Sequence, residues 1–382
     1  MKQILFLIVA ICLAAIGIAG VIFESTAFQA EGPWFLALGL TMIAYLALKR
    51  TYYRAGSVWP ADSNEPKPLK LTWLDYVKAL ICWLDSFKRT YAVKPGLYYT
   101  GDRYDHDAPL LATANYHLTV FLLVRRLRRR NVRLLVVDTD SINVWCAAGK
   151  GAFCNDAIFA QLNRYEQHLP KDAGRLKLIL PKLCLAGVDL PALRRAGCDA
   201  IIGPVYGKDL PTYLSTAPCK DRDADRVLFG LQSRLFTAPP GLLQMLKYSI
   251  TLLLALWLVQ QIWPLALPVA GVLGLTAVLT IAYPVCFPYL PGKWFAVKGL
   301  SLAIVVSAVL CALAAGGLVS RGNLITAVLF TLASGMCFGQ SYSGNSAVSN
   351  GTSVRKETAR LLPVYVLLYM ATLAAFIIKE AF

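Results

Sequence analysis

A multi-span helical membrane protein carrying one α/β domain is the fold class that the sequence predicts, and three observations predict it. Mean hydropathy is +0.54 and only 16% of residues are charged, where soluble domains carry about 25%. Long apolar runs recur at about 3–23, 34–48, 244–263, 265–285, 299–319, 323–340 and 361–378. Between the second and third of them lies a polar segment whose apolar stretches have strand length and alternate with helical ones.

A helix needs about 20 residues to cross ~30 Å of hydrocarbon. Runs 34–48 and 323–340 are short, and the expectation is about seven transmembrane helices in total. Residues 1–20 also read as a signal peptide, because Lys2 precedes an apolar stretch ending in small residues. The second run follows at once, which favours a helical hairpin. Basic residues set the orientation. "ESTAFQAEGPW" between the first two runs has no Lys or Arg, whereas "LKRTYYR" follows the second; Lys293, Lys298, Arg355, Lys356 and Arg360 share that side, and Arg321 lies opposite. The chain is therefore expected to be a multi-pass protein of the cell (inner) membrane, with its N-terminus and 50–243 in the cytoplasm and its C-terminus outside. The net charge of +16 follows largely from this rule, so lipid is the expected partner and no nucleic acid is needed.

The expected organisation is an N-terminal transmembrane hairpin (1–50), a linker and amphipathic helix (51–92), a cytoplasmic α/β domain (93–240) and a five-helix transmembrane domain (241–382). Residues 55–70 form a Pro-rich linker. Residues 72–89 have apolar positions at helical spacing, suited either to the membrane interface or to packing on the neighbouring domain. The runs 109–115, 133–138, 176–181, 199–205 and 226–231 predict strands. Helices are predicted at about 117–130, 155–168 and 188–196, with a short one at 209–215. Such alternation predicts a parallel, Rossmann-like sheet that binds ligands at the carboxyl ends of its strands. TANY (113–116), "SINVWCAAGKGAF" (141–153), 181–187 and GPVYG (203–207) all fall at that mouth. "VRRLRRR" (124–130) reads as the solvated last turn of a helix, where cations suit the macrodipole, in preference to a nucleic-acid or anionic-lipid site.

Ten cysteines, Cys12, Cys82, Cys146, Cys154, Cys184, Cys198, Cys219, Cys286, Cys311 and Cys337, include no Cys-x-x-Cys pair. Zinc-ribbon, ferredoxin and thioredoxin-type sites are disfavoured, and in a reducing cytoplasm free thiols are expected. Cys146 stands apart because Asn143, Gly149 and Lys150 make its surroundings polar. "AAGKG" is not a phosphate loop: Val144 stands where the first glycine belongs and Gly151 where Ser or Thr belongs. A Cys–His hydrolase has only His106, His117 and His168 to draw on; His117, after TANY, keeps that alternative open. Metal ligation is the remaining use of one thiol. Lys150 and a helix N-terminus would favour thiolate, and a metal held inside a macrocycle needs only an axial ligand from the protein.

"NVWCAAGK" (143–150) resembles the cap-helix signature of the HgcA family, the membrane-bound corrinoid proteins of microbial mercury methylation, within the superfamily of corrinoid iron-sulfur proteins and the CO dehydrogenase delta subunit. The resemblance runs from about Tyr91 onward. It includes "VKPGLY" (93–98), "ATANY" (112–116), "VVDTDSINVWCAAGKGAF" (136–153), "LILP" (178–181), "GPVYGKDLPTYL" (203–214), "LPGKWFAVKG" (290–299) and "YSGNSAVSNGTSVRKE" (342–357). Two departures stand out: two spans precede the usual start of the corrinoid domain, and "KLCLAG" after LILP lacks an expected proline.

The resemblance implies an α/β Rossmann-like corrinoid-binding domain with cobalamin as cofactor. Cys146 would be the lower axial ligand to cobalt and the catalytic residue, with Asn143, Val144, Trp145, Ala147, Ala148, Gly149 and Lys150 forming the cap. Thr113 would hydrogen-bond the corrinoid's lower side, and Asn115 and Gly203 would complete the binding set. Small Ala147 and Ala148 and flexible Gly149 would admit the macrocycle; Trp145 is expected to pack the helix on its domain. The implied reaction is methyl transfer from methylcob(III)alamin to Hg(II), a soft electrophile, giving methylmercury. The implied partners are a separate ferredoxin, HgcB, as reductant and methyltetrahydrofolate, or a methyltransferase carrying its methyl, as donor, in an anaerobe. Few charges lie in the spans, which predicts anchoring; a mercury route past Cys286, Cys311 or Cys337 is the sharper alternative. A corrinoid methyl carrier of one-carbon metabolism and a non-enzymatic membrane scaffold remain as rivals.

Overall fold

In the computed structural model the described residues are 2–22, 32–54, 64–85, 91–169, 175–215, 226–263, 266–318, 320–344, 346, 349 and 351–381. Contacts divide the chain into two compact units, Met1–Trp83 with Phe87–Arg226, and Leu84–Ser86 with Val227–Phe382. The first unit opens with helices α1 (Lys2–Ile22) and α2 (Gly32–Arg54). They meet backbone to backbone, since a Cβ on Gly17 would fall on Leu36 and one on Gly39 on Ala14.

A six-stranded sheet follows, made of β1 (Lys67–Pro68), β2 (Gly96–Tyr99), β3 (Leu110–Ala114), β4 (Arg133–Val137), β5 (Leu176–Leu180) and β6 (Cys198–Ile202), in the order β1-β2-β4-β3-β5-β6. The last four strands are the first four expected from the sequence. They are parallel to one another, while β2 runs antiparallel to β4. The sheet is therefore mixed, not wholly parallel. Helices α3 (Trp73–Leu84), α4 (His117–Leu127), α5 (Val144–Gly149), α6 (Asn155–Arg164), α7 (Leu190–Arg195) and α8 (Leu210–Ser215) complete the unit. Alternation along the strands sorts the core into two faces. Leu110, Ala112, Leu135, Val137, Leu178 and Leu180 pack with residues of α5, α6 and α7. Leu111, Leu134 and Val136 pack with Val120, Val124, Leu127 and Leu210 of α4 and α8.

Two expectations about the polar segment need correction, and a third takes a definite form. The run 226–231 is not a strand: residues 227–230 are irregular and lead into helix α9 (Leu231–Leu235). Its Phe229 stacks edge-on against Phe287, so the apolar residues serve a helical core. A short apolar run does not distinguish the two uses. The end of the supposed linker, Lys67–Pro68, pairs in parallel with Tyr98–Tyr99; residues 55–63 of that segment lie outside the described set. The amphipathic segment is helical over Trp73–Leu84 and packs Ala79, Ile81 and Cys82 against Tyr116, Leu118 and Phe121; residues 86–90 lie outside the described set.

The second unit consists of α9, α10 (Ala238–Gln260), α11 (Val269–Cys286), α12 (Phe295–Ala315), α13 (Leu324–Ser343) and α14 (Gly351–Ala381). Among the described residues, five helical stretches are long and apolar enough to cross a membrane: Leu231–Gln260, Val269–Cys286, Phe295–Ala315, Arg321–Ser343 and Gly351–Ile378. The other two of the seven expected spans fall on α1 and α2, whose apolar stretches, Leu7–Ala19 and Phe35–Ala47, are shorter. Helices α12 and α13 touch through Gly299, Gly335 and Gly339, where a Cβ would collide with backbone of the facing helix. Small residues are how apolar helices gain contact in a medium as apolar as themselves.

Candidate functional site

The chain leaves β3 through α4 on one face of the sheet and leaves β4 through α5 and α6 on the other. The parallel order β4-β3-β5-β6 therefore places a switch point between β3 and β5, and a crevice opens there at the carboxyl ends of the strands. A cavity of about 300 Å³ occupies it. Its lining draws on all four segments expected at the mouth: Thr113; Asn143, Val144 and Trp145; Pro181 and Leu183; and Gly203, Pro204, Val205 and Gly207. Thr119 and Leu123 of α4 and Leu210 of α8 complete the wall; no motif marked these, and helical spacing alone does not separate a core leucine from a pocket leucine. The walls are mostly apolar. Of their polar residues Thr113, Thr119 and Asn143, Thr113 has a buried Oγ1 that finds no hydrogen-bond partner among the described residues. A buried hydroxyl left unmet costs about 1–3 kcal/mol, so a ligand atom that reaches Thr113 recovers that energy. Gly203 tightens the opposite wall, because a Cβ there would lie 3.1 Å from Ile179 Cγ2.

Asp140 and Ser141 both have φ of 55°, a left-handed conformation that non-glycine residues adopt only when held. Asn115, one residue beyond β3, holds them. Its Oδ1 accepts from the Thr139 and Ser141 amides at 3.1 and 3.0 Å, and its Nδ2 donates to Asp138 Oδ1 at 3.0 Å. The Thr139 hydroxyl lies 2.8 Å from both Asn115 Oδ1 and the Ile142 carbonyl. This bend delivers the chain to Asn143, whose side chain caps α5 by accepting from the Cys146 amide at 2.9 Å. At the other end Gly151, with φ of +74°, stops the helix: its amide reaches the Ala148 carbonyl and that of Ala152 the Ala147 carbonyl, a Schellman closure.

Between these caps α5 has two faces. Val144, Ala147 and Ala148 point into the core; Trp145, Cys146, Gly149 and Lys150 are exposed. Ala147 and Ala148 are small for a reason the sequence did not reveal. The segment carrying Gly187 crosses α5 so closely that a Cβ on Gly187 would lie 2.9 Å from the Ala148 Cα. Trp145, expected to pack the helix down, instead stands at the rim of the cavity with 41% of its surface exposed. Gly149, one turn from Cys146, has open space where its side chain would be, so nothing rises from that position beside the thiol. Cys146 is no core cysteine: it is exposed, whereas Cys184 and Cys198 are buried. Burial pushes the thiol of Cys184 up to about 12, and burial together with nearby Asp199 pushes that of Cys198 up to about 11.

The site residues thus fall into three groups. Thr113, Asn143, Val144, Trp145 and Gly203 line the cavity; Cys146, Gly149 and Lys150 form the exposed face of α5; Asn115, Ala147 and Ala148 hold the cap in place from behind. His117 is absent from the cavity lining. It is buried at the start of α4 and stacks on Phe121. Burial, and then the charge of Lys78, pushes its imidazole down to about 4, so it belongs to the packing of α3 on α4.

No family model matches the chain. The acetyl-CoA decarbonylase/synthase complex subunit gamma 2 of Methanosarcina thermophila is 29% identical over 124 residues, which is 32% of this chain and 26% of that protein. The chain thus spans about a quarter of the length of the curated relative it matches.

Proposed function

We propose that this chain is a membrane-bound corrinoid protein that transfers methyl groups, with the Cys146 thiolate as lower axial ligand to cobalt and Hg(II) as acceptor. The observation that supports it best is the pairing of an exposed thiol on α5 with a mostly apolar crevice beside it, in which the buried Thr113 Oγ1 has no partner among the described residues. The residues fit a corrinoid. Thr113 would hydrogen-bond it, and the crevice, too small for a whole corrinoid, would take one of its arms. Asn143 fixes the first turn of α5 and with it the Cys146 backbone, and Gly149 lets a flat ring approach. The exposed Lys150 ammonium adds positive charge one turn away from the thiolate. When bound, the corrinoid would supply a cobalt-held methyl group, and charge donated by the Cys146 thiolate would favour its departure with the electron pair. Hg(II) is a soft electrophile that accepts such a group.

Seven spans with the α/β unit in the cytoplasm are part of this reading, as are a separate ferredoxin, HgcB, as reductant and methyltetrahydrofolate or a methyltransferase as donor. The likeness to a subunit of acetyl-CoA decarbonylase/synthase favours a second reading, a corrinoid methyl carrier serving one-carbon metabolism. Full-length chain supplied with a low-potential ferredoxin, methyltetrahydrofolate and its methyltransferase, and Hg(II) separates them. The first reading expects methylmercury from the wild type and none from Cys146→Ala. Methylmercury at equal yield from Cys146→Ala contradicts it. Methyl loading of the wild type without any methylmercury favours the carrier.

A further inference from the structure

Helix α3 uses one face for packing and leaves another bare. Ala79, Ile81 and Cys82 are buried against the α/β fold, while Trp73, Tyr76 and Leu80, spaced as one helical stripe, stay exposed, Trp73 to 77%. The stripe continues onto α4. The Tyr76 ring meets that of Phe121 edge-on at 5.1 Å, and the Arg125 guanidinium lies 5.8 Å from the Tyr76 ring centre. On α4, Leu122, Arg125 and Arg126 are exposed, and Arg128 at its C-cap and Arg129 just beyond it are exposed too. Neither helix offers an exposed carboxylate, because Asp75 is the one acid in the two and it is buried.

We propose that this joint face of α3 and α4 docks on the surface of an anionic lipid bilayer. Exposed Trp and Tyr beside Leu form the combination that settles at the headgroup level, with apolar bodies inward and polar tips in water. A block of arginines at its edge is matched by lipid phosphates and acidic headgroups. A nucleic acid would also satisfy the arginines, but it offers nothing to Leu80 and Leu122. With α2 in the membrane, as the seven-span reading has it, the chain itself would carry α3 near lipid, since α2 ends at Arg54 and α3 begins at Trp73. A solvated helix end accounts for the arginines alone; the aromatic stripe fused to them is what the bilayer explains. The inference stands apart from the corrinoid reading.

The test uses full-length chain carrying the photo-cross-linker p-benzoylphenylalanine at position 73 or 80, or at exposed Asp107 as control. It is reconstituted in vesicles of phosphatidylcholine alone or in an equal mixture with phosphatidylglycerol. Lipid adducts are read by mass after illumination. Adducts are expected at 73 and 80 and not at 107, falling about fivefold in phosphatidylcholine alone or when Arg125, Arg126, Arg128 and Arg129 are all changed to Ser. Adduct yields at 73 and 80 no higher than at 107 overturn the proposal, as do cross-links to a second copy of the chain in place of lipid. Equal yields in the two vesicle types overturn the anionic requirement whatever the variant does.

Discussion

Two glycines, three and five positions after Cys146, carry opposite meanings. Gly149 lies in helical conformation with open space beside it, so Gly149→Ala should leave stability unchanged or raise it by up to about 1 kcal/mol. On the corrinoid reading the added methyl stands in the path of a flat ring, and retention of cobalamin should fall. Gly151 sits at φ +74°, so Gly151→Ala should cost about 1 kcal/mol through backbone strain. Thermal unfolding beside a cobalamin retention assay reads both; loss of retention in neither variant would leave the exposed face of α5 without a ligand. His117 supplies a pH dependence. Its imidazole is pushed from 6.5 down to about 4, by burial first and Lys78 second, so below about pH 6.5 the unfolded chain takes up a proton that the folded one refuses. Stability is thus intact above about pH 6.5 and falls by up to about 3 kcal/mol as pH drops towards 4. Unfolding of wild type and His117→Gln across that range should show a slope in the first that flattens in the second; parallel curves would remove His117 as the cause.

At the scale of elements, the support of α5 matters more than the helix itself. Asn115→Ala strips the partners from the Thr139 and Ser141 amides and should destabilise the 138–143 bend by about 3 kcal/mol. Hydrogen exchange should then quicken across 138–147 ahead of β3 and β4; uniform exchange in variant and wild type would show that the bend holds itself. The sequence carried much of this layout. The four parallel strands are short apolar runs with polar ends, and the segments at their carboxyl ends do form one crevice. Asn115 was less legible. Strand alternation would aim it with Thr113, but β3 ends at Ala114, and beyond that residue the alternation no longer governs where a side chain goes. Ala147 and Ala148 show a related limit: smallness shows that something comes close, not whether it is a ligand or Gly187. Strand β2 escaped notice because four residues after a proline resemble a loop, and its antiparallel pairing with β4 is long-range. Residues 227–230 look like a strand for want of any local sign that Phe229 belongs beside Phe287.

At the scale of the whole molecule, one α/β unit brings a thiol beside a crevice at a sheet switch point, and among the described residues five helical stretches are long and apolar enough to cross a membrane. The first unit can present its aromatic and arginine face to lipid without involving the crevice, because α3 and α4 use Trp73, Tyr76, Leu80 and Arg125 there while α4 contributes Thr119 and Leu123 to the cavity. What unites the functional account is the proposed bond between Cys146 and cobalt. The most direct measurement is the absorption spectrum of full-length chain in detergent after incubation with cobalamin and removal of the excess, for wild type and Cys146→Ala. The account predicts retained base-off cobalamin in the wild type, with cobalt bands that shift when the thiol is lost. No retained cobalamin, or the same spectrum from both proteins, would contradict it.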